Sequence, residues 1–233
     1  MLNQLTPKLD AFRSLVQRAG ALHSELATLD TAIRNLDTIK ARIAECGDEA
    51  QVHPLIADLR QAEETVTVKR LREPRLRDEL AAIVKDAEFA HFEVMSAIEA
   101  LLNDLSEAAT QPFRELLLSL QPEEDNSKRD NANRVVLKAL APAVLADELY
   151  KMLRDAGRVV GVVSGDPYGP AKGLRSSLEI TDALLVRLPE LHDERKRMTA
   201  ACEAISSWNG AAGSGANTGD VPYRAMAAAV TPE

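Results

Sequence analysis

Apolar residues recur every seven positions along the first forty-odd residues of the chain. Leu5, Phe12, Ala19, Leu26 and Ile33 make one series, and Leu15, Leu22, Leu29, Leu36 and Ile43, offset by three, make the other. An a/d repeat held over about five heptads predicts a long α-helix built to pack against other helices. Asp10, Gln17, Ser24, Thr31, Thr38 and Glu45 are polar, as a solvated back face requires, while Leu9 and Val16 widen the apolar stripe at its start. Thr6-Pro7 reads as a helix start, with a capping hydroxyl before a proline at the first helical position. Gly47 reads as the stop. At 1.5 Å per residue such a helix spans roughly 60 Å, longer than a compact domain needs, so an elongated molecule is expected.

Residues 47–53 read as a short loop, with Pro54 opening a second helix. Its stripe runs through Leu55, Leu59, Ala62 and Val66, meets Pro74, and resumes at Leu76, Leu80, Ile83, Ala87, Ala90, Val94, Ala97 and Leu101. A proline this deep either kinks a helix or restarts it. The short connection favours an antiparallel hairpin, and alanine at several seam positions allows the close approach a hairpin needs. A parallel, intermolecular coiled coil through the first helix is the alternative. Pro112 ends or bends the second helix, leaving a short apolar helix over 113–120. Residues 121–133 are a surface loop. A helix over 135–156 contains Pro142 and stops at Gly157, and 158–163 is a brief β-prone run. A Gly/Pro turn follows at 164–173, then helices over 174–188 and 189–208. The predicted fold is all-α: a long coiled-coil helical hairpin over 1–110, a smaller helical region over 111–208 and an extended Gly/Ala-rich arm over 209–233.

Composition agrees with helices. Hydrophobic residues are 45% of the chain but aromatics only 3%, so Ala and Leu carry the apolar content. A net charge of -8 argues against a general binder of nucleic acid or anionic membrane. Cys46 and Cys202 are too few for a disulfide framework and match no zinc spacing, so a reducing compartment is expected. Residues 1–20 carry charges throughout and show no signal-peptide core, and no apolar run approaches a membrane span. A cytoplasmic location, or a particle assembled in the cytoplasm, is the expectation.

Candidate chemistry is sparse. Glu88 and His91 have the Glu-x-x-His spacing of di-metal helical bundles, but no second such pair exists, since Glu190 and His192 are one residue too close. Lys69, Arg70, Arg72, Arg75 and Arg77 gather five cations around Pro74, a patch for phosphate contact or for acidic neighbours. Few aromatics stand ready to stack on bases, and Glu73 dilutes the patch, so acidic neighbours are the preferred reading. Arg195, Lys196 and Arg197 read as a solvated helix face. The stretch from Gly165 to Gly173 resembles a phosphate loop in context only. Lys172 precedes Gly173 instead of following it, and the prolines remove N–H donors. Cys46 near His53 is one thiol and one imidazole, short of a nucleophilic site. His23 flanks the seam.

These patterns predict a structural protein and not an enzyme, with no cofactor. The chain is expected to be a self-associating coiled-coil subunit or adaptor of a multi-protein assembly, a phage or virus particle being one setting. Leu15, Leu22, Leu26, Leu29, Ile33 and Leu36 are expected to form the packing seam and to carry the association. The Gly-rich tail cannot bury enough apolar area to offset its ordering entropy alone. Val221, Tyr223, Met226 and Val230 are therefore expected to dock it on a neighbour. Partners are other proteins or further copies of the chain, with no membrane. A nucleic-acid-associated protein using 69–77 is the first alternative, and a bundle metal enzyme the second.

Overall fold

A computed structural model describes residues 2–47, 49–120, 136–161 and 169–212. The protein is all-α, with no strand among the described residues. Its long helices are α1 (Leu2–Glu45), α2 (Glu49–Leu120), α3 (Ala141–Gly161) and α4 (Gly169–Ala212). A single helical turn at 136–139 precedes α3. The described residues pack into two units, one drawn from Leu2–Val94 and Val160–Arg175, the other from Met95–Val159 and from α4 beyond Arg175. α2 passes from the first unit into the second between Val94 and Met95.

In the first unit α1 and α2 form an antiparallel hairpin within one chain. Lys8 pairs with Glu93, Phe12 stacks on His91, Glu25 pairs with Arg72, and Lys69 reaches Thr28. As the α1 number rises the α2 number falls, which only an antiparallel arrangement gives. The reversal is tight, and the Cys46 amide donates to the Ile43 carbonyl at 3.2 Å as α1 ends. Ala19 and Leu26 of α1, Leu80 and Ile83 of α2, and Ala171 from the start of α4 make one buried cluster. Leu15, Leu22, Leu76 and Val84 flank it.

The shielded positions of α2 step by four and three without a break: Leu55, Leu59, Ala62, Val66, Lys69, Glu73, Leu76, Leu80, Ile83, Ala87, Ala90 and Val94. That ladder is a 3.5-residue repeat, and it runs straight across Pro74. The α1 face is less regular. Leu5, Leu9, Phe12, Val16 and Ala19 are buried near its start, Leu26, Leu29 and Ile39 further on. Of the six predicted seam residues, Leu26 and Leu29 are buried, and Leu15, Leu22, Ile33 and Leu36 are half-buried. All six are thus shielded by packing inside the chain.

The second unit holds α2 from Met95, α3 up to Val159 and α4 from Ser176 as a three-helix bundle. Phe113 and Leu116 of α2, Leu140, and Met198, Cys202 and Ile205 of α4 share a buried core. Buried positions of α4 again follow a heptad ladder, Leu174, Ser177, Thr181, Leu184, Leu188 and Leu191, and it runs across Pro189. The Thr181 hydroxyl donates to the Ser177 carbonyl at 2.8 Å, which makes a buried hydroxyl tolerable.

Several expected boundaries move. α1 starts at Leu2, so Thr6-Pro7 lies within the helix and does not cap it. α2 starts at Glu49, inside the expected 47–53 loop, and carries Pro54, Pro74 and Pro112 without a break. α4 likewise passes through Pro189 as one helix. Pro74 and Pro189 are exposed, positions where water can hydrate a carbonyl that lacks its N–H donor. Gly157 and residues 158–161 belong to α3, which removes both the expected stop and that part of the β-prone run. Pro142 is the second residue of α3 and Pro170 the second of α4, positions where an absent N–H costs nothing. Consequently 169–173, expected in a Gly/Pro turn, form the first turn of α4. Residues 209–212, expected in the arm, form its last. The expected loop at 121–133, the remainder of the turn at 164–168, and the arm with Val221, Tyr223, Met226 and Val230 lie outside the described residues.

Candidate interaction surface

The basic cluster around Pro74 is split by the helix that carries it. Lys69 sits in the seam and its Nζ donates to the Thr28 hydroxyl at 2.7 Å. Arg72 pairs with Glu25 at 2.8 Å, and Arg77 with Glu73 at 2.5 Å. Arg70 and Arg75 remain, and five residues along a helix turn them to different faces. The five cations therefore do not converge on one phosphate-sized site. Around Lys69 and Glu73 the hairpin holds a polar layer, with a cavity of about 190 Å³ lined in part by Glu25, Thr28, Lys69 and Glu73. In an otherwise apolar ladder such a layer disfavours slipped registers, because a slip would bury Lys69 against leucine.

Glu88 and His91 also diverge. His91 is 7% exposed, turned into the hairpin against Phe12, with ring centroids 5.4 Å apart. Glu88, one turn earlier on α2, is exposed. Burial pushes the His91 pKa down, favouring the neutral ring. The described residues contain no cluster of three His, Cys, Asp or Glu that could hold a metal ion. His23 is half-buried, and Cys46 and His53 sit at the hairpin turn.

In the second unit, ion pairs within single helices, such as Arg114 with Glu107 and Arg158 with Asp155, stand beside one that links two helices. Arg187 of α4 reaches Glu148 of α3 at 3.0 Å and Glu190 at 3.3 Å. The Tyr150 hydroxyl donates to the Asn103 side-chain oxygen, joining α3 to α2. Partial burial, with Glu99 and Asp147 nearby, pushes the Tyr150 pKa up. Lys196 and Arg197 pair with Asp193 and Glu194, so that stretch is a solvated face. An open groove of about 460 Å³ runs between α2 and α4, with Cys202, Glu115 and Glu203 among its lining. Burial raises the Cys202 pKa, which keeps the thiol protonated and a poor nucleophile.

The surface offers a more distinctive feature. Phe12 and Phe113 are fully buried, yet Phe89 and Phe92 are 67% and 68% exposed. On the same outer face of α2, Val68 is 58% and Leu71 79% exposed. The positions 68, 71, 75, 78, 82, 85, 89 and 92 are all exposed and step by three and four, a second heptad line about opposite the seam. Sequence reasoning missed this line because Arg75, Asp78 and Lys85 interrupt its apolar members. The available signal was the spacing itself, since Val68/Leu71 recur as Phe89/Phe92 three heptads later. Among the described residues no helix is long and apolar enough to cross a membrane.

Comparison with protein-family models, curated proteins and solved structures finds no match. The functional reading therefore rests on geometry.

Proposed function

We propose that this chain is a structural protein, a coiled-coil subunit or adaptor that associates with copies of itself within a larger protein assembly. The observation that carries the reading is the outer face of α2. Large apolar side chains left in water at heptad spacing are a helix-packing surface without a partner among the described residues. The long heptad helices support the same reading, because they present faces to neighbours and, among the described residues, enclose no convergent polar site. The hairpin fills the α1 seam internally, so association falls to outer faces and not to Leu15, Leu22, Leu26, Leu29, Ile33 and Leu36.

Light scattering coupled to size exclusion tests this at micromolar concentration. A mass of two or more chains, falling on dilution, is the expected result. A monomer mass at every concentration overturns self-association.

A further inference from the structure

The outer line of α2 carries more than exposed apolar groups, because its charges are ordered along it. Val68 and Leu71 lie at one end and Phe89 and Phe92 at the other, with Arg75, Asp78, Ala81, Ala82, Lys85 and Glu88 between. All ten are exposed. Cations alongside the seam have partners in the chain, as Lys69, Arg72 and Arg77 show. Arg75, Asp78, Lys85 and Glu88 have none among the described residues.

We infer that this face binds a second copy of the same chain, α2 against α2, antiparallel about a twofold axis near Ala81 and Ala82. The inference rests on the self-association reading above and names the surface it uses. Laid antiparallel about that point, Leu71 of one copy comes opposite Phe92 of the other, with Val68 and Phe89 each within one turn of that contact, and the same contact repeats at the far end. Asp78 comes within one helical turn of the other copy's Lys85, and Arg75 within one turn of its Glu88. Each ion pair also occurs twice. The two alanines at the axis let the backbones approach closely. A parallel pairing puts each charge beside its own copy, which is repulsive at all four positions. Like charges also come near, Glu79 by its copy and, one turn out of register, Arg75 by Lys85 and Asp78 by Glu88, whereas the opposite charges face each other directly. At an exposed rim such side chains swing apart at little cost.

The size of the contact sets its strength. From Val68 to Phe92 the face runs about 36 Å at 1.5 Å per residue. With about 200 Å² for an aromatic side chain, the two phenylalanines leave on the order of 270 Å² to water, and Val68 and Leu71 bring the apolar total near 500 Å² per copy. Two copies then bury on the order of 1,000 Å², the lower edge of specific interfaces, which fits a reversible dimer.

The experiment is sedimentation equilibrium on the full chain and three sets of variants, each checked for unchanged helix content by circular dichroism. Phe89→Ser with Phe92→Ser is expected to weaken dimerisation roughly tenfold or more. Asp78→Lys alone should weaken it, and adding Lys85→Asp should restore it, because the exchanged charges meet again across the axis. In a Cys46→Ser background, Ala81→Cys should form an interchain disulfide on mild oxidation, whereas Val68→Cys should not. Cross-linking at both positions indicates parallel pairing and overturns the inference. An oligomer unaffected by the phenylalanine and charge variants overturns it too, while leaving self-association standing through another face. A wild-type monomer at every concentration removes both.

Discussion

Pro74 sits in the middle of an uninterrupted α2, and replacing it with alanine tests whether that helix is one rod or two. Proline in a helix interior costs about 3 kcal/mol relative to alanine, through the lost N–H bond and the clash with the carbonyl four residues earlier. Here that carbonyl belongs to Arg70, which is exposed with Pro74 itself, so hydration offsets part of the lost bond. This recovers part of the cost and leaves about 2 kcal/mol to be regained by Pro74→Ala. The seam is untouched, because Glu73 and Leu76 keep their heptad positions. For a chain of this length 2 kcal/mol raises the melting temperature by roughly 4–8 °C. Thermal unfolding followed by circular dichroism, at matched protein concentration, measures it. A helix that stops before Pro74 and restarts at it gives the opposite outcome. Proline is then at a first-turn position where it is favoured, and alanine lowers the melting temperature or leaves it unchanged. Either result refutes a continuous α2.

The remaining predictions address the hairpin and its helices. Phe12→Ala removes a fully buried ring from between α1 and His91 and should cost about 3–5 kcal/mol by urea unfolding; a loss below about 1 kcal/mol contradicts this packing. Gly20 lies in α1 with open space where a Cβ would go, so Gly20→Ala should stabilise by about 1 kcal/mol in the same assay, and a loss of stability refutes the open site. His91 has its folded pKa lowered by burial, so between that value and the ordinary 6.5 the unfolded chain binds more protons. Its contribution is complete above pH 6.5 and is lost as pH falls from there through the folded value. Unfolding at stepped pH should show a steeper decline for wild type than for His91→Phe, and equal slopes contradict the burial.

The helices were legible because their evidence is redundant. A heptad ladder on α1 repeats one binary choice many times, so a small residue such as Ala19 does not erase it. The helix ends were not legible, for a physical reason visible at particular residues. Pro74, Pro112, Pro189 and Gly157 are local penalties of about 1–3 kcal/mol, weighed in the sequence without the burial that offsets them. Leu80, Ile83, Phe113, Leu188 and Leu191 all lie within a few turns of those residues and are buried. Tertiary packing therefore carries each helix past its breaker. The ladder gave a clue in Lys69 and Glu73. Taken as polar gaps they seem to end the stripe before Pro74, but as seam positions they keep the four-three spacing intact.

The same reasoning bears on the surface. A cluster such as Lys69, Arg70, Arg72, Arg75 and Arg77 is a cluster in one dimension only, because a helix turns each residue by about 100° from the last. Folding assigned Lys69 to the seam, Arg72 and Arg77 to acidic partners, and Arg75 to the outer line with Asp78 and Lys85. Conversely, residues far apart in the sequence became neighbours in function, with Val68 and Leu71 sharing a face with Phe89 and Phe92. The local density of one residue type was thus a poor guide to a site in this protein, and recurrence at helical spacing a better one. An outer line that places apolar groups at both ends, alanines at its centre and opposite charges at matched distances from that centre has the symmetry of its own partner. That symmetry, rather than the number of exposed hydrophobic groups, makes a second copy of the chain the fitting occupant.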